Sequence, residues 1–235
     1  MPTREEVEQK VQESLLLFID FLYAVVFGLI ISETAKKVAV SGSTTKDWVG
    51  TFTHVTGITM VFYFLTWDWV HARILTIRNP YKGYTRFFTE IGIAFCAYSM
   101  ASQILEKELS FLLYTAAILL LGVWWAQKTL RDYPGSEDRS ELKTIQKLQS
   151  LVGVVVVIGF IFLRLVLHLT TINSVTMLSV VALGWLFLVF YEMRIPRVPG
   201  ISSGPGVFLL SRRDVKKIRE RLSRGKRRFY PKKGD

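Results

Sequence analysis

The chain has 235 residues, a formal net charge of +11 and apolar side chains at half of its positions, gathered into long blocks instead of alternating with polar ones. That is the composition of an integral membrane protein. Its single cysteine, Cys96, excludes an intrachain disulfide and a cysteine-based metal site, and its place inside an apolar block favours a small buried side chain over a reactive thiol.

Met1 to Ser14 is charged and lacks the apolar core of a secretory leader, so the first apolar block is expected to act as its own insertion signal and to stay. Thr3 followed by Glu6 forms a capping box, and Val7 with Val11 gives one narrow apolar stripe. Residues 1–14 therefore predict a short amphipathic helix resting on the membrane surface or on a neighbouring subunit. Residues 15–32 then approach the roughly 20 residues a helix needs to cross a bilayer, interrupted by Asp20. A charge inside such a helix costs on the order of 3 kcal/mol unless it is paired or wetted. Asp20 thus faces protein or water, or lies close enough to the helix start to reach the headgroups.

Phe18-Ile19-Asp20, followed by Tyr23-Ala24-Val25 and Leu29-Ile30, resembles the Phe-Ser-Asp signature that opens the first helix of the endolysosomal potassium channel family. That family includes six-helix prokaryotic relatives that assemble as tetramers. Trp67 and His71 echo its second mark, a Trp followed closely by paired His at the inner end of helix two. Ile19 stands where the family has Ser, and Ser14 where it has Arg. The resemblance covers two helices and implies a potassium-type cation channel with the first helix lining the pore. On it, Val25 would be the apolar constriction, Asp20, Gly28, Leu29 and Ser32 would lie along the path, and Phe18, Trp67 and His71 would support the motif.

The polar loop from Glu33 to Asp47 leads to a second span at about Val49 to Val70, rich in Thr51, Thr53, Thr56, Thr59 and Thr66. Threonine hydroxyls return to the carbonyl one turn back and suit helix contacts in lipid, so packing is the first reading and a hydrated pathway the second. Trp67 and Trp69 stand where an aromatic belt belongs. A basic connection around Asn79-Pro80 precedes span three, about Phe87 to Leu105, which contains Glu90. A very short loop then makes spans three and four (Leu109 to Ala126) an antiparallel hairpin. The longest internal loop, Gln127 to Ser150, ends in a predicted surface helix over Ser140 to Gln149. Span five, Leu151 to Leu169, carries Arg164 and His168 at i, i+4, and a single arginine there is a snorkelling residue before it is a sensor. Span six covers about Val175 to Met193.

Beyond Ile195 a Pro- and Gly-rich linker leads to a basic amphipathic stretch, Ser211 to Arg224. The domains are thus an N-terminal helix (1–14), a six-helix transmembrane domain (15–195) and a basic tail (196–235). Arg212, Arg213, Lys216, Lys217 and Arg219 are the expected contacts of the tail with anionic lipid headgroups. Nucleic acid is the weaker reading, because no base-reading motif accompanies the charge.

With six spans, 25 of the 30 lysines and arginines fall on the side of the two termini and four on the other. The positive-inside rule then places both termini in the cytoplasm. On that orientation Asp20, Asp68 and Glu90 lie toward the inner mouth, where they would either concentrate cations or pair with His71, Arg73 or Arg86 at the same depth. No metalloprotease, nucleophile-elbow or phosphate-loop motif is present, and no cofactor or metal site is expected. The expectation is an all-α, non-enzymatic multi-pass protein, a homo-oligomeric channel for monovalent cations. The alternative is a non-catalytic subunit that scaffolds a larger membrane complex, with the tail and the loop after span four as docking surfaces.

Overall fold

The computed structural model describes residues 3–41 and 48–194, and every regular element among them is helical. The helices are α1 (Arg4–Ser41), α2 (Trp48–Arg78), α3 (Tyr84–Glu106), α4 (Phe111–Asp132), α5 (Arg139–Ile161) and α6 (Ser174–Arg194), with a π-helical turn, Phe162–Val166, closing α5. Each of the six contains a stretch long and apolar enough to cross a membrane, the build of a multi-pass membrane protein. The basic tail, with Arg212, Arg213, Lys216, Lys217 and Arg219, lies outside the described residues.

The helices overrun the apolar blocks that announce them. The Thr3 and Glu6 capping box forms as expected, Glu6 Oε2 accepting from the Thr3 amide at 2.9 Å and Thr3 Oγ1 from the Glu6 amide at 3.3 Å. The helix it starts does not stop at Ser14, however, but runs on as α1 through the first span. The predicted surface helix at 140–149 is likewise the opening of α5, so the long loop contracts to residues 133–138. Polar residues at these ends continue the backbone ladder beyond the lipid-sized core, because a helix satisfies its own amides in water as well as in lipid.

α1 packs against both α2 and α3, α4 against α3 and α5, and α6 against α2. The central layer is apolar and closed: Val26, Ile30, Val61, Leu65, Ala94, Ala97 and Ile104 are each 1 % exposed or less. Thr53 and Thr59 return their hydroxyls to Val49 and Val55 one turn back, both at 2.7 Å, and Thr53 is fully buried facing the Ser174 carbonyl of α6. The outward surface is as apolar as the interior, with Leu151, Val155, Ile158, Leu165, Leu183 and Leu186 all more than 60 % exposed. Lipid tails cover such a surface without cost.

The two ends of the bundle differ. At one end the α3–α4 turn meets the α5–α6 connection in a short antiparallel bridge between Glu108 and Thr171, with the Leu109 amide on the Thr170 carbonyl and the Ile172 amide on the Lys107 carbonyl. Here the expectation for span five is corrected. The helix ends at Val166, His168 takes a left-handed conformation (φ 51°), and Arg164 turns to the Leu169 carbonyl, so Arg164 and His168 do not share a helical face. At the other end the α2–α3 and α4–α5 connections lie together with the start of α1, as the alternating direction of successive helices requires.

Glycine marks where helices touch most closely. A Cβ on Gly57 would come within 2.8 Å of Ile104 and 3.4 Å of Val181, both fully buried, whereas one on Gly184 would meet only the flexible Met60 thioether. Gly57→Val is expected to lower stability by about 1–3 kcal/mol and Gly184→Ala by clearly less. Thermal unfolding in one detergent, followed by circular dichroism, measures both.

Candidate functional site

α1 carries two stripes. Ile19, Tyr23, Val26 and Ile30 recur at intervals of four, three and four and are 1–3 % exposed against the core. On the opposite side Phe21, Val25, Gly28 and Ser32 recur at the same spacing, with Phe18 and Leu29 beside them, and all six are exposed in the single chain. No Cβ-sized obstacle stands over Gly28. The residues that the family resemblance assigns to a constriction and its path, apart from Asp20, therefore share one face that the protomer leaves open.

Asp20 is not on that face. Helical residues advance by roughly 100° each, which separates Asp20 from Val25 by roughly 140° around the axis. Its carboxylate is taken up within the chain. Arg73 Nη2 of α2 lies 3.1 Å from one oxygen, and the Trp69 indole N–H donates to the other at 2.9 Å. Asp20 and Arg73 side chains are each 28 % exposed, at a depth where the pair shields both charges from lipid. One turn along α1, the Tyr23 hydroxyl donates to Asp68 Oδ2 at 2.9 Å. These three bonds join the same two helices and fix the rotation of α1 about its axis. Asp20 thus stands off the Val25 stripe, and its contacts help to position α1.

Asp68 and Glu90 are likewise bonded within the chain. Asp68 is held by Tyr23, and Glu90, 3 % exposed, accepts from the Trp125 indole at 2.8 Å and the Tyr81 hydroxyl at 2.8 Å. Arg86, one turn before Glu90 on α3, is 1 % exposed, donates to the Asn79 carbonyl at 2.7 Å and lies over the Trp125 and Tyr81 rings at 4.8 and 5.3 Å. A guanidinium between aromatic faces, with a carboxylate one turn away on the same helix, keeps a compensated charge in a low-dielectric setting. Tyr81, in the α2–α3 connection, has its phenol pushed well above the ordinary value, first by burial and then by the Glu90 carboxylate, so it remains a donor.

His71 completes the arrangement on the other flank of α2. Its Nε2 lies 2.6 Å from Glu141 Oε1 in the first turn of α5, and its ring stacks on Trp67 at 4.7 Å with 10° between the planes. Trp67 in turn meets Tyr191 of α6 edge-on at 4.8 Å. Trp67 and His71, noted as motif support, thus join α2 to α5 and α6. Glu141 also stands where a helix N-terminus favours negative charge.

The connections are locked with comparable density. Asp138 accepts from Arg78 and from Asn79, both at 2.9 Å; the Tyr133 hydroxyl donates to the Pro80 carbonyl at 2.6 Å; Gln12 of α1 bonds both the amide and the carbonyl of Tyr81. Trp125, Tyr23 and Tyr81 were not singled out from sequence as partners of the carboxylates, nor Glu141 as the partner of His71. The depth ordering of charged residues was the usable signal, since it did place Arg73 and Arg86 level with Asp20 and Glu90.

No protein-family model, curated protein or solved structure matches this chain. Fold and site together define a six-helix protein of membrane-crossing build whose polar groups gather in one end of the bundle and are consumed in holding helices to one another.

The clamp on α1 predicts coupled energetics. Arg73→Ala and Asp20→Ala should each destabilise by about 1–3 kcal/mol, discounted from a fully buried pair by their partial exposure, and the double variant should cost clearly less than the sum. Tyr23→Phe should cost about 1 kcal/mol through the lost bond to Asp68. A double-mutant cycle on thermal unfolding reads all of these.

Proposed function

We propose that the protein is a channel for monovalent cations of the potassium type, built from several copies, in which α1 of each copy lines the path. Val25 forms the apolar neck, and Gly28, Leu29 and Ser32 continue the lining. The observation that carries this is the open stripe of α1: the helix has one face for its own bundle and a second, opposite and unoccupied within the protomer, on which Val25, Gly28, Leu29 and Ser32 stand together. The resemblance of the first helix to the endolysosomal potassium channel family supports the same reading and, with it, a tetramer. The excess of basic residues at the end that holds the α2–α3 and α4–α5 connections supports a cytoplasmic position for both termini.

Selection in this proposal is made by a narrow dewetting constriction and the hydroxyl and carbonyl groups beyond it. The carboxylates of Asp20, Asp68 and Glu90 have no part in the path, since each is bonded within the protomer. The loop after α4, one of the two docking surfaces of the rival scaffold reading, is short and tied to the α2–α3 connection.

Protein reconstituted in vesicles should pass potassium. Val25→Asn, which wets the neck, should raise single-channel conductance about tenfold if it removes roughly 1.4 kcal/mol of barrier. Asp20→Asn should lower the amount of folded protein while leaving the conductance of surviving channels within about twofold. Electrical recording in planar bilayers decides: absence of cation current, or currents indifferent to Val25→Asn, sinks the proposal.

A further inference from the structure

Between the first turn of α3 and the last turns of α4 lies a cleft of about 340 Å³ lined by Thr85, Trp124, Gln127, Lys128 and Arg131. Thr85, Trp124, Gln127 and Arg131 are exposed on the surface of the bundle. Among the described residues the Arg131 guanidinium, the Gln127 amide, the Trp124 indole N–H and the Thr85 hydroxyl have no hydrogen-bond or ion-pair partner, and Lys128 alone is shared, with Asp132 at 3.0 Å. Near it, Arg78, Tyr133 and one Nη of Arg86 are spent on carbonyls or carboxylates of the chain itself.

The neighbours of the cleft along the helix axes are apolar and turned outward. Leu120 stands one turn from Trp124 and is 60 % exposed, Phe88 stands close to one turn from Thr85 and is 62 % exposed, and Phe95 and Leu113 extend the same surface. The order along the bundle is thus greasy groove, then an exposed tryptophan, then two cations with amide and hydroxyl donors. A tryptophan at that position marks headgroup depth. A guanidinium with free N–H groups matches a phosphate oxygen pair, and the negative surface of the cytoplasmic leaflet supplies that chemistry.

We infer that this cleft is a binding site for one anionic phospholipid, its phosphate held by Arg131 and Lys128, its headgroup by Gln127 and Thr85, and its chains laid over Phe88 and Leu120. The site is separate from the basic tail. It rests on the membrane-spanning build and is independent of whether the protein conducts. Two basic residues, at roughly fivefold each, give a preference on the order of tenfold or more for anionic over zwitterionic lipid.

The test uses the full chain in phosphatidylcholine vesicles doped with phosphatidylglycerol carrying brominated chains, against brominated phosphatidylcholine. The Trp124 signal is isolated as the difference between the full chain and its Trp124→Phe variant. Trp124 should be quenched at about a tenfold lower mole fraction of the anionic lipid. Arg131→Gln combined with Lys128→Gln should bring the two lipids within about twofold, whereas Arg131→Lys should keep most of the preference, which separates loss of charge from loss of fold. Changing Arg212, Arg213, Lys216, Lys217 and Arg219 to Gln should leave the Trp124 preference intact, and millimolar inorganic phosphate should not displace the lipid. Equal quenching by the two lipids, a preference that survives the double cleft variant, one that disappears with the tail charges, or displacement by free phosphate would each overturn the assignment.

Discussion

The fold depends most on how α1 is held to α2. An isolated apolar helix in lipid has no preferred rotation, because acyl chains solvate every greasy face alike. The Asp20 contacts to Arg73 and Trp69, and the Tyr23 bond to Asp68, remove that freedom. They are polar bonds between partly or fully buried groups, so losing one leaves its partner poorly compensated. Every statement about which residues α1 presents outward follows from this registration, because turning the helix by half a revolution would bury Val25 and expose Tyr23.

The same economy governs the rest of the polar end. Arg86 and Glu90 stay in the interior because the rings of Trp125 and Tyr81 and the carbonyl of Asn79 surround them with compensating groups. His71 and Glu141 bring α5, otherwise the helix least covered by its own bundle, into contact with α2. Opposite them the other end is closed by backbone bonds between two connections and needs no charged core. Folding specificity is thus concentrated at the end where the chain makes its α2–α3 and α4–α5 connections, and the membrane-facing remainder is held by size complementarity such as the Gly57 contact.

The six long apolar helices were legible in the sequence because a membrane-sized span has a length and a composition that local reading detects. Their ends were not. Arg73 and Arg78 looked like loop residues but belong to α2, and Ser140 to Gln149 looked like a separate helix but is the start of α5. In both places charged side chains meet partners from elsewhere in the chain, Asp20 for Arg73 and Asp138 for Arg78 at the end of α2, His71 for Glu141 at the start of α5, and that pairing accompanies the extra turns. Asp20 was recognisable as a residue needing compensation, and Arg73 as a candidate. Which of the open alternatives held could not be read locally, since Asp20 and Arg73 are distant in sequence and the choice was made by the rotation of two helices. The open stripe of α1 was accessible from spacing alone once the opposite stripe was identified as the buried one.

α1 is one uninterrupted helix of 38 residues, roughly 57 Å of rod where a bilayer core measures about 30 Å. That surplus length leaves its polar N-terminal third beyond the apolar stretch as a rigid handle, grasped near Gln12 by the backbone of Tyr81. A helix without a break carries the setting of one end to the other, so the hold at Tyr81 and the bonds of Asp20 and Tyr23 act on one rod and set its rotation together.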